Sequence, residues 1–492
     1  MIVISRAVAR QFRAVLRRVL QDADQRSQWP LVLCHADASG LTLQARCGDI
    51  GVCLQQAGGQ TPDTLLFRSS LLAEIEGRSD TPVELESVEA TKGQARFDDG
   101  GVPRVLDFDL IVGTPEEEWP ALPKKLTPQP MEFLTALYEA ARTCAPAAGR
   151  FALTRVQLRG DKGEVVATDG KQLLVQRGFT LPWSEQVLIP RLSAFTCREL
   201  DGDGPIGLGR TDTHVVLRIG PWTFFLSIDA NSRFPTVETV VPRATSSTSR
   251  WHVDEADAAY LLNILPKLPG SDDSHAPVTL DLDRECVLRV RGDHQEAATE
   301  APLHASTLTG PPVRVCVNRS FLRRALQLGF RDLQVVNPDK PVVCRDARRL
   351  YVVMALDKAS VIPPGRNALR LSGRPALASL SPPPLVDKSK PAAASSFPPP
   401  SVERSIPTMP APTPNRPLAN GQDTTNGNTQ DPAQPPRCGI AEVIEEAEQL
   451  RTLLQEAGVR LSRLLAALKQ QRRQSRAVQQ AMASLKQLQL EP

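Results

Sequence analysis

The run Glu164-Val165-Val166-Ala167-Thr168-Asp169-Gly170-Lys171-Gln172-Leu173-Leu174-Val175-Gln176 decides how the middle of this chain folds. Apolar and β-branched residues fill both halves, and Asp169-Gly170 stands between them. That pattern predicts two short strands joined by a turn, because Gly reaches backbone angles closed to other residues. An acid catalyst at Asp169 is the alternative use of the pair, and the turn is the better one. Further strands are expected on either side, at Arg155–Leu158, Val215–Arg218 and Phe224–Ile228, with Asp161-Lys162-Gly163 as another turn.

Helices precede and interrupt these strands. Met131–Arg142 has helical spacing, and a second short helix is expected after Ile189-Pro190-Arg191, with Pro setting its start. The same arrangement recurs along the chain. Trp119-Pro120-Ala121-Leu122-Pro123 closes one stretch, and Phe234-Pro235 with Val240-Val241-Pro242 closes the next, 115 residues on. A repeat of that length is a whole domain rather than a solenoid unit. A third unit runs from about Trp251 to Asp357, with helices near Glu255–Leu265 and Arg319–Leu328. The expected domains are 1–123, 124–245 and 246–361, and 492 residues are enough for about three of them.

After Lys358 the composition shifts to Pro, Ser, Ala, Asn and Thr. Residues 362–438 carry too few large apolar side chains to bury a core and are expected to form a disordered tether. From 439 to 490 helical spacing returns. Ile440, Ile444, Ala447, Leu450, Leu454, Ala457, Leu461, Leu464 and Leu468 make a coiled-coil or helical-hairpin stripe, acidic in its first half and basic in its second.

A net charge of +3 says nothing about nucleic acid, so a DNA role has to come from where the charges sit. In the first helix Val8, Phe12, Val15, Leu16 and Val19 form one face, while Arg6, Arg10, Arg13 and Arg17 step along the other. Four guanidinium groups with no acid among them suit phosphates; a solvated helix face is the competing use. Arg319 and Arg323 repeat the design in a later helix, and Arg191 and Arg198 follow Pro190. The helix from Met131 departs from it, carrying Glu132 and Glu139.

Chemistry is less legible. The six histidines do not sit at metal-ligand spacing, and no Gly-rich phosphate loop or nucleophile elbow is present, so neither cofactor nor metal is expected. Nine cysteines at irregular spacing, none in a Cys-x-x-Cys pair, predict reduced and mostly buried thiols of a cytoplasmic protein. No stretch approaches the roughly 20 apolar residues of a membrane span. The Arg-rich start could serve as an organelle presequence, but the amphipathic helix is the better use.

Several of these segments resemble one family. Val166-Ala167-Thr168-Asp169-Gly170-Lys171-Gln172-Leu173 resembles the ATDGHRL segment of the bacterial DNA polymerase III beta subunits, the beta sliding clamps. Ile189-Pro190-Arg191 is similar to the segment that opens a helix in their middle domain. Ser232-Arg233-Phe234-Pro235, ending at Val241-Pro242, resembles their GRFPDYRRVLP stretch, and Tyr351-Val352-Val353-Met354 their YVVMPM end. Trp119-Pro120 resembles the FP segment at the end of their first domain. The order and spacing match over residues 1 to about 357.

The resemblance implies an α+β fold of three similar sliding-clamp domains, with helices inside and sheets outside. Here the disordered linker and C-terminal α-helical coiled coil would follow. It implies a homodimer ring around duplex DNA, with Arg6, Arg10, Arg13, Arg17, Arg191, Arg198, Arg319 and Arg323 facing phosphates without reading bases. It further implies a pocket for peptides from a DNA polymerase and clamp-loader subunits, at Leu153, Thr168, Gly170, Lys171, Gln172, Leu173, Pro235, Val240, Val352, Val353, Met354, Ala355 and Leu356. Plain core is the competing use for several of these. The chain departs from the pattern at Lys171-Gln172 (His-Arg in the family), at Thr239 (Arg) and at Ala355 (Pro), which bears on partner choice. Gln487-Leu488-Gln489-Leu490 resembles the QLxLF peptide that clamps bind without its last aromatic; the end of a helical stripe is the simpler use. The expected function is a non-catalytic processivity clamp, and the alternative is a clamp-fold scaffold that binds proteins without encircling DNA.

Overall fold

The computed structural model describes residues 1–22, 30–113, 119–147, 149, 151–200, 204–243, 248–270, 275–292 and 297–371. Most of the expected tether, the expected coiled coil and Gln487–Leu490 therefore lie outside the described residues. The first repeat runs β1 (Ile2–Ser5), α1 (Arg6–Asp22), β2 (Leu31–Asp37), β3 (Gly40–Cys47), β4 (Ile50–Ala57), β5 (Asp63–Arg68), α2 (Leu71–Ile75), β6 (Pro82–Glu89), β7 (Lys92–Asp98) and β8 (Pro103–Asp109). The second has β9 (Thr127–Gln129), α3 (Glu132–Ala141), β10 (Arg155–Arg159), β11 (Glu164–Thr168), β12 (Gln172–Arg177) and β13 (Gln186–Pro190). Two 3-10 turns (Ala194–Thr196 and Arg198–Leu200) lead into β14 (Ile206–Arg210), β15 (His214–Ile219) and β16 (Trp222–Ser227).

The third repeat has β17 (Ser249–His252), α4 (Glu255–Ile264), β18 (Pro277–Leu282), β19 (Cys286–Val290), β20 (Thr299–Leu303), β21 (Thr307–Thr309) and β22 (Val313–Asn318). It closes with α5 (Arg319–Gln327), β23 (Asp332–Val335), β24 (Val342–Arg345) and β25 (Arg349–Val353), and a short β26 (Leu369–Arg370) follows. Each repeat thus reads strand, helix, one group of strands, a second helical piece and three more strands. Asp254 and Asn318 start α4 and α5 by accepting hydrogen bonds from Ala256 and Ser320, the orphan amides of a first turn.

Sheets cross the repeat boundaries. β4 pairs antiparallel with β16 over Ile50–Leu54, giving one sheet ordered β5-β2-β3-β4-β16-β15-β14-β9. β12 pairs with β25, Leu173 opposite Val352 and Leu174 opposite Tyr351, giving β13-β10-β11-β12-β25-β24-β23-β17-β21. Two sheets remain at the ends of the series, β1-β6-β7-β8 and β22-β18-β19-β20-β26.

The helices pack into a row. α1 lies on α2 and on the 3-10 turns, α3 on the first of those turns, and α4 on α5. The Asp22 carboxylate accepts from Ser193 N–H at 2.6 Å, and Arg324 of α5 reaches Glu139 of α3, so the row continues from repeat to repeat. The apolar face of α1 is buried as its spacing predicts, from Val8 to Val19. Phe12 stacks on Trp222 of the second repeat, centroids 6.0 Å apart. Trp222 is 2 % exposed and Phe12 is fully buried, so the contact lies in the core.

Two expectations change. Pro190 ends β13 instead of starting a helix, and the two 3-10 turns stand where an α-helix was expected, because Cys197 between them is extended (ψ 135°). The tether was expected from 362, yet residues up to Leu371 lie on the third repeat. Ile362 is buried there and its N–H donates to Thr279 Oγ1 at 2.9 Å. The eight cysteines described are all buried, and burial pushes the Cys34, Cys47 and Cys144 thiols up to about 12. Among the described residues no helix is long and apolar enough to cross a membrane.

Two outcomes follow from this packing. Trp222→Ala should lower stability by about 3–5 kcal/mol, the usual cost of emptying a large aromatic site, read as a fall in the urea midpoint. A thiol reagent such as DTNB should leave these eight cysteines unmodified in the native protein at pH 8 and reach all of them after unfolding, since only a thiolate reacts.

Candidate peptide groove and basic helix row

The turn between β11 and β12 is built by its own side chains. Asp169 accepts from the Lys171 and Gln172 amides at 2.7 and 2.8 Å, and its second oxygen from Gln172 Nε2 at 3.0 Å. Thr168 Oγ1 donates to the Gln172 carbonyl at 2.6 Å and accepts from Gly170 N–H. Gly170 has φ +86°, which a side chain would strain. Asp169 is thereby committed to the turn.

This turn lies against the end of β25. Met354 N–H donates to the Lys171 carbonyl at 2.9 Å, and the Tyr351 hydroxyl donates to Gln172 Oε1 at 2.5 Å. Burial pushes the Tyr351 phenol well above its ordinary range, so it acts as a hydrogen-bond donor. Alternation along the strands then separates two faces. Leu173 and Val352 join Ala152, Val166, Phe234 and Val237 in one apolar cluster, with Val241 packed against it. Leu174, Tyr351 and Val353 point into the core of the third repeat.

The segment 234–241 forms a wall over the first face. Phe234 and Val237 are buried, Pro235 is half-buried, and Val240 at the lip is 40 % exposed. Met354 is 38 % exposed on the other side. Glu238 anchors the wall to Arg159 at 2.6 Å, and Arg159 is itself buried beside Glu164. Burial alone would raise the Glu238 carboxyl, but hydrogen bonds and the Arg159 charge outweigh it and hold it below the usual range.

Of the residues expected here, Leu153, Thr168, Gly170, Lys171, Leu173 and Val352 meet along one surface, with Pro235, Val240 and Met354 at its margins. A Cβ on Gly170 would lie 3.8 Å from Leu153 Cδ1. Four belong elsewhere. Gln172 and Val353 are cross-strand partners on the opposite face, for the parity reason above, where Gln172 meets Tyr351. Ala355 bridges to Val317, and Leu356 N–H donates to Cys316 O, so both lie along the third repeat. Phe234, Val237 and Ala152 were missed; the aromatic-Pro pair and the spacing Val237–Val241 were the available signal.

The arginines divide into two groups. Arg6 lies against the Phe97 ring and donates to Asp99 at 2.6 Å and to the Ile75 and Glu76 carbonyls. Arg13 pairs with Glu76 at 2.7 Å. Arg319 is 4 % exposed and donates to the Leu268, Pro269 and Gly270 carbonyls, the first two at 2.6 Å. Arg191 is half-buried and donates to the Ala145 and Pro146 carbonyls. These four were expected to face phosphates, and the structure gives them internal partners: Arg6 and Arg319 begin helices where the chain turns back onto its own loops, Arg13 is met by Glu76 after α2, and Arg191 by the segment after α3.

Arg10, Arg17 and Arg198 are exposed and Arg323 half-exposed. Arg18 and Arg142, not among the residues expected to face phosphates, are exposed on α1 and just after α3. The Glu139 charge, which made α3 look unfavourable, is matched by the buried Arg324. Among the described residues no cluster of three or more His, Cys, Asp or Glu could hold a metal ion.

Repeats of paired sheets joined edge to edge, with a continuous row of helices, define a clamp architecture. The described part of the chain has the fold of the bacterial DNA polymerase III beta sliding clamps. A Eubacterium rectale protein assigned as a DNA polymerase III beta subunit matches with TM-score 0.60 and 14 % identity, over 73 % of this chain and 99 % of that one. The Pseudomonas aeruginosa DNA polymerase sliding clamp matches with TM-score 0.59 and 17 % identity, over 72 % of this chain and 99 % of that one. The same organism's clamp bound to griselimycin matches with TM-score 0.59 and 16 % identity, over 72 % and 98 %. By sequence, no family model and no curated protein matches the chain.

The two arginine groups should separate by experiment. Arg319→Met should cost about 2–3 kcal/mol in urea unfolding, since it strands buried carbonyls, while Arg17→Met should stay within about 0.5 kcal/mol of the parent. The wall anchor has a pH signature. The Glu238 folded pKa is lowered, so its contribution is complete above the ordinary glutamate range and is lost as pH falls through the lowered value. Glu238→Gln should lower the amide protection factors of segment 234–241 at pH 7 to those the parent shows only in acid, each taken against the intrinsic exchange rate at its pH.

Proposed function

We propose that this chain is a non-catalytic DNA clamp, two copies of which close head to tail around duplex DNA and tether a DNA polymerase to it. The observation that carries this reading is the row of helices on a clamp fold bearing exposed Arg10, Arg17, Arg18, Arg142 and Arg198, with Arg323 half-exposed. Guanidinium groups on helix surfaces reach phosphates without entering a groove, which gives affinity without sequence preference and permits sliding. Arg6, Arg13, Arg191 and Arg319 hold the helices in place and are not part of the phosphate-facing set. A head-to-tail pair is a heterologous contact that closes after two copies.

The groove between β12, β25 and the wall at 234–241 takes a short apolar-anchored peptide from a polymerase or clamp-loader subunit, as a Leu or Phe side chain suits Leu173, Val352 and Val240. The reaction belongs to the tethered enzyme, so no cofactor or metal is required, and the setting is the cytoplasm. A second reading, a clamp-fold scaffold that binds proteins without encircling DNA, draws on the number of candidate arginines with internal partners.

Retention on circular and linearised plasmid, compared by gel filtration with a clamp loader, decides between the two. Retention on the circle with loss from the line supports a closed ring, and loss from both supports the scaffold. Arg10→Glu with Arg17→Glu should abolish retention while leaving the urea midpoint unchanged. Neutralising Arg10 alone should reduce the slope of log affinity against log salt by about 1, as for one lost phosphate contact.

A further inference from the structure

The two internal junctions obey one rule. In the first repeat β4 is the third strand of its first sheet, and it pairs with β16, the last strand of the second repeat. In the second repeat β12 holds the same place and pairs with β25, the last strand of the third. Both ladders are antiparallel and five residues long. Carried one step further, the rule pairs β20, the corresponding strand of the third repeat, with β8, the last strand of a first repeat. Within one chain that pairing is not made. Among the described residues no strand covers the outer edge of β8, and Val105 on it is 57 % exposed.

The β20 edge is occupied by the chain's own continuation. After β25 the backbone crosses the third-repeat sheet from one side to the other. Leu356 N–H donates to Cys316 O on β22, Ile362 N–H to Thr279 Oγ1 on β18, and Leu369 and Leu371 N–H to the Ala298 and Glu300 carbonyls at 2.8 Å. β26 is therefore a parallel strand on β20, two residue pairs long. Arg370 adds an ion pair with Glu285 and lies 3.9 Å from Glu300, and Leu371 packs against the third-repeat core.

We infer that β26 is a removable plug on the closing edge: it keeps β20 from pairing with β8 of a second copy, and the pair closes only when residues 366–371 are displaced. The inference rests on the head-to-tail pair proposed above. A parallel two-pair ladder is weaker than the antiparallel five-pair ladders at the other junctions, so the exchange favours closure once the plug is off. The plug is attached to the edge it covers and competes at an effective concentration on the order of millimolar. Micromolar protein is then held open, and the outer β8 edge remains available to a second copy.

Sedimentation equilibrium of the full chain tests this. Leu369→Pro with Leu371→Pro deletes the two amides that hold β26 and leaves β8 and β20 unaltered. The parent should sediment as a monomer at micromolar concentration. The double variant should dimerise with a dissociation constant tighter by roughly tenfold or more, the worth of two net backbone hydrogen bonds. Leu110 N–H donates to Thr91 O, so alternation along β8 points the Val105 amide to the outer edge. Adding Val105→Pro removes that donor at a position where an edge strand tolerates proline, and it should return the double variant to monomer. Equal dimerisation of parent and double variant would overturn the plug and leave the paired ring standing. Monomers throughout would overturn both.

Discussion

Main-chain hydrogen bonding between strand edges is the constraint on which the rest depends. A sheet edge carries unpaired amides and carbonyls that have to be satisfied or shielded. In this chain each repeat satisfies one edge with the next repeat, β4 with β16 and β12 with β25. Because the pairing is backbone to backbone, it fixes the register of neighbouring repeats to the residue. Leu173 falls opposite Val352 and the Gln172 amide side chain comes within reach of Tyr351 for that reason alone. The candidate groove beside them follows from the junction.

The helices carry the second layer of order. Apolar faces on α1, α3 and α5 are buried against the sheets, and polar links such as Asp22 to Ser193 and Arg324 to Glu139 set one helix against the next. An arginine on such a helix has two uses. Near a helix start, where loops fold back, carbonyls and carboxylates are close and the guanidinium is consumed by them, as at Arg6 and Arg319. Further along α1, Glu76 after α2 still reaches Arg13, whereas Arg10 and Arg17 are exposed and keep their charge at the surface. The electrostatic surface of the row is therefore set by loop geometry as much as by the number of arginines.

Much of the fold is legible in the sequence. The hairpin around Asp169-Gly170, the α1 stripe and the helices from Met131, Asp254 and Arg319 follow from period and turn chemistry. The candidate groove is legible in part, because contiguous residues such as Thr168–Leu173 stay together in any fold that keeps the turn. Val353 was misplaced since a strand alternates its faces and parity cannot be assigned before the partner strand is known. The wall at 234–241 was half visible, for nothing local says that Glu238 reaches Arg159, 79 residues earlier. The strap at 362–371 was hidden by its setting: a Pro-rich stretch gives no periodic signal, and two residues of strand give none either.

The sequence by itself determined the local elements, the three-fold repetition and the buried thiols, because periodicity, glycine placement and the apolar neighbours of each cysteine act over a few residues. The tertiary structure alone decided which strand edges meet, which arginines keep a free charge and where the chain after β25 comes to rest. Those outcomes depend on groups far apart in the chain, whose donors and acceptors become neighbours only when the sheets have formed.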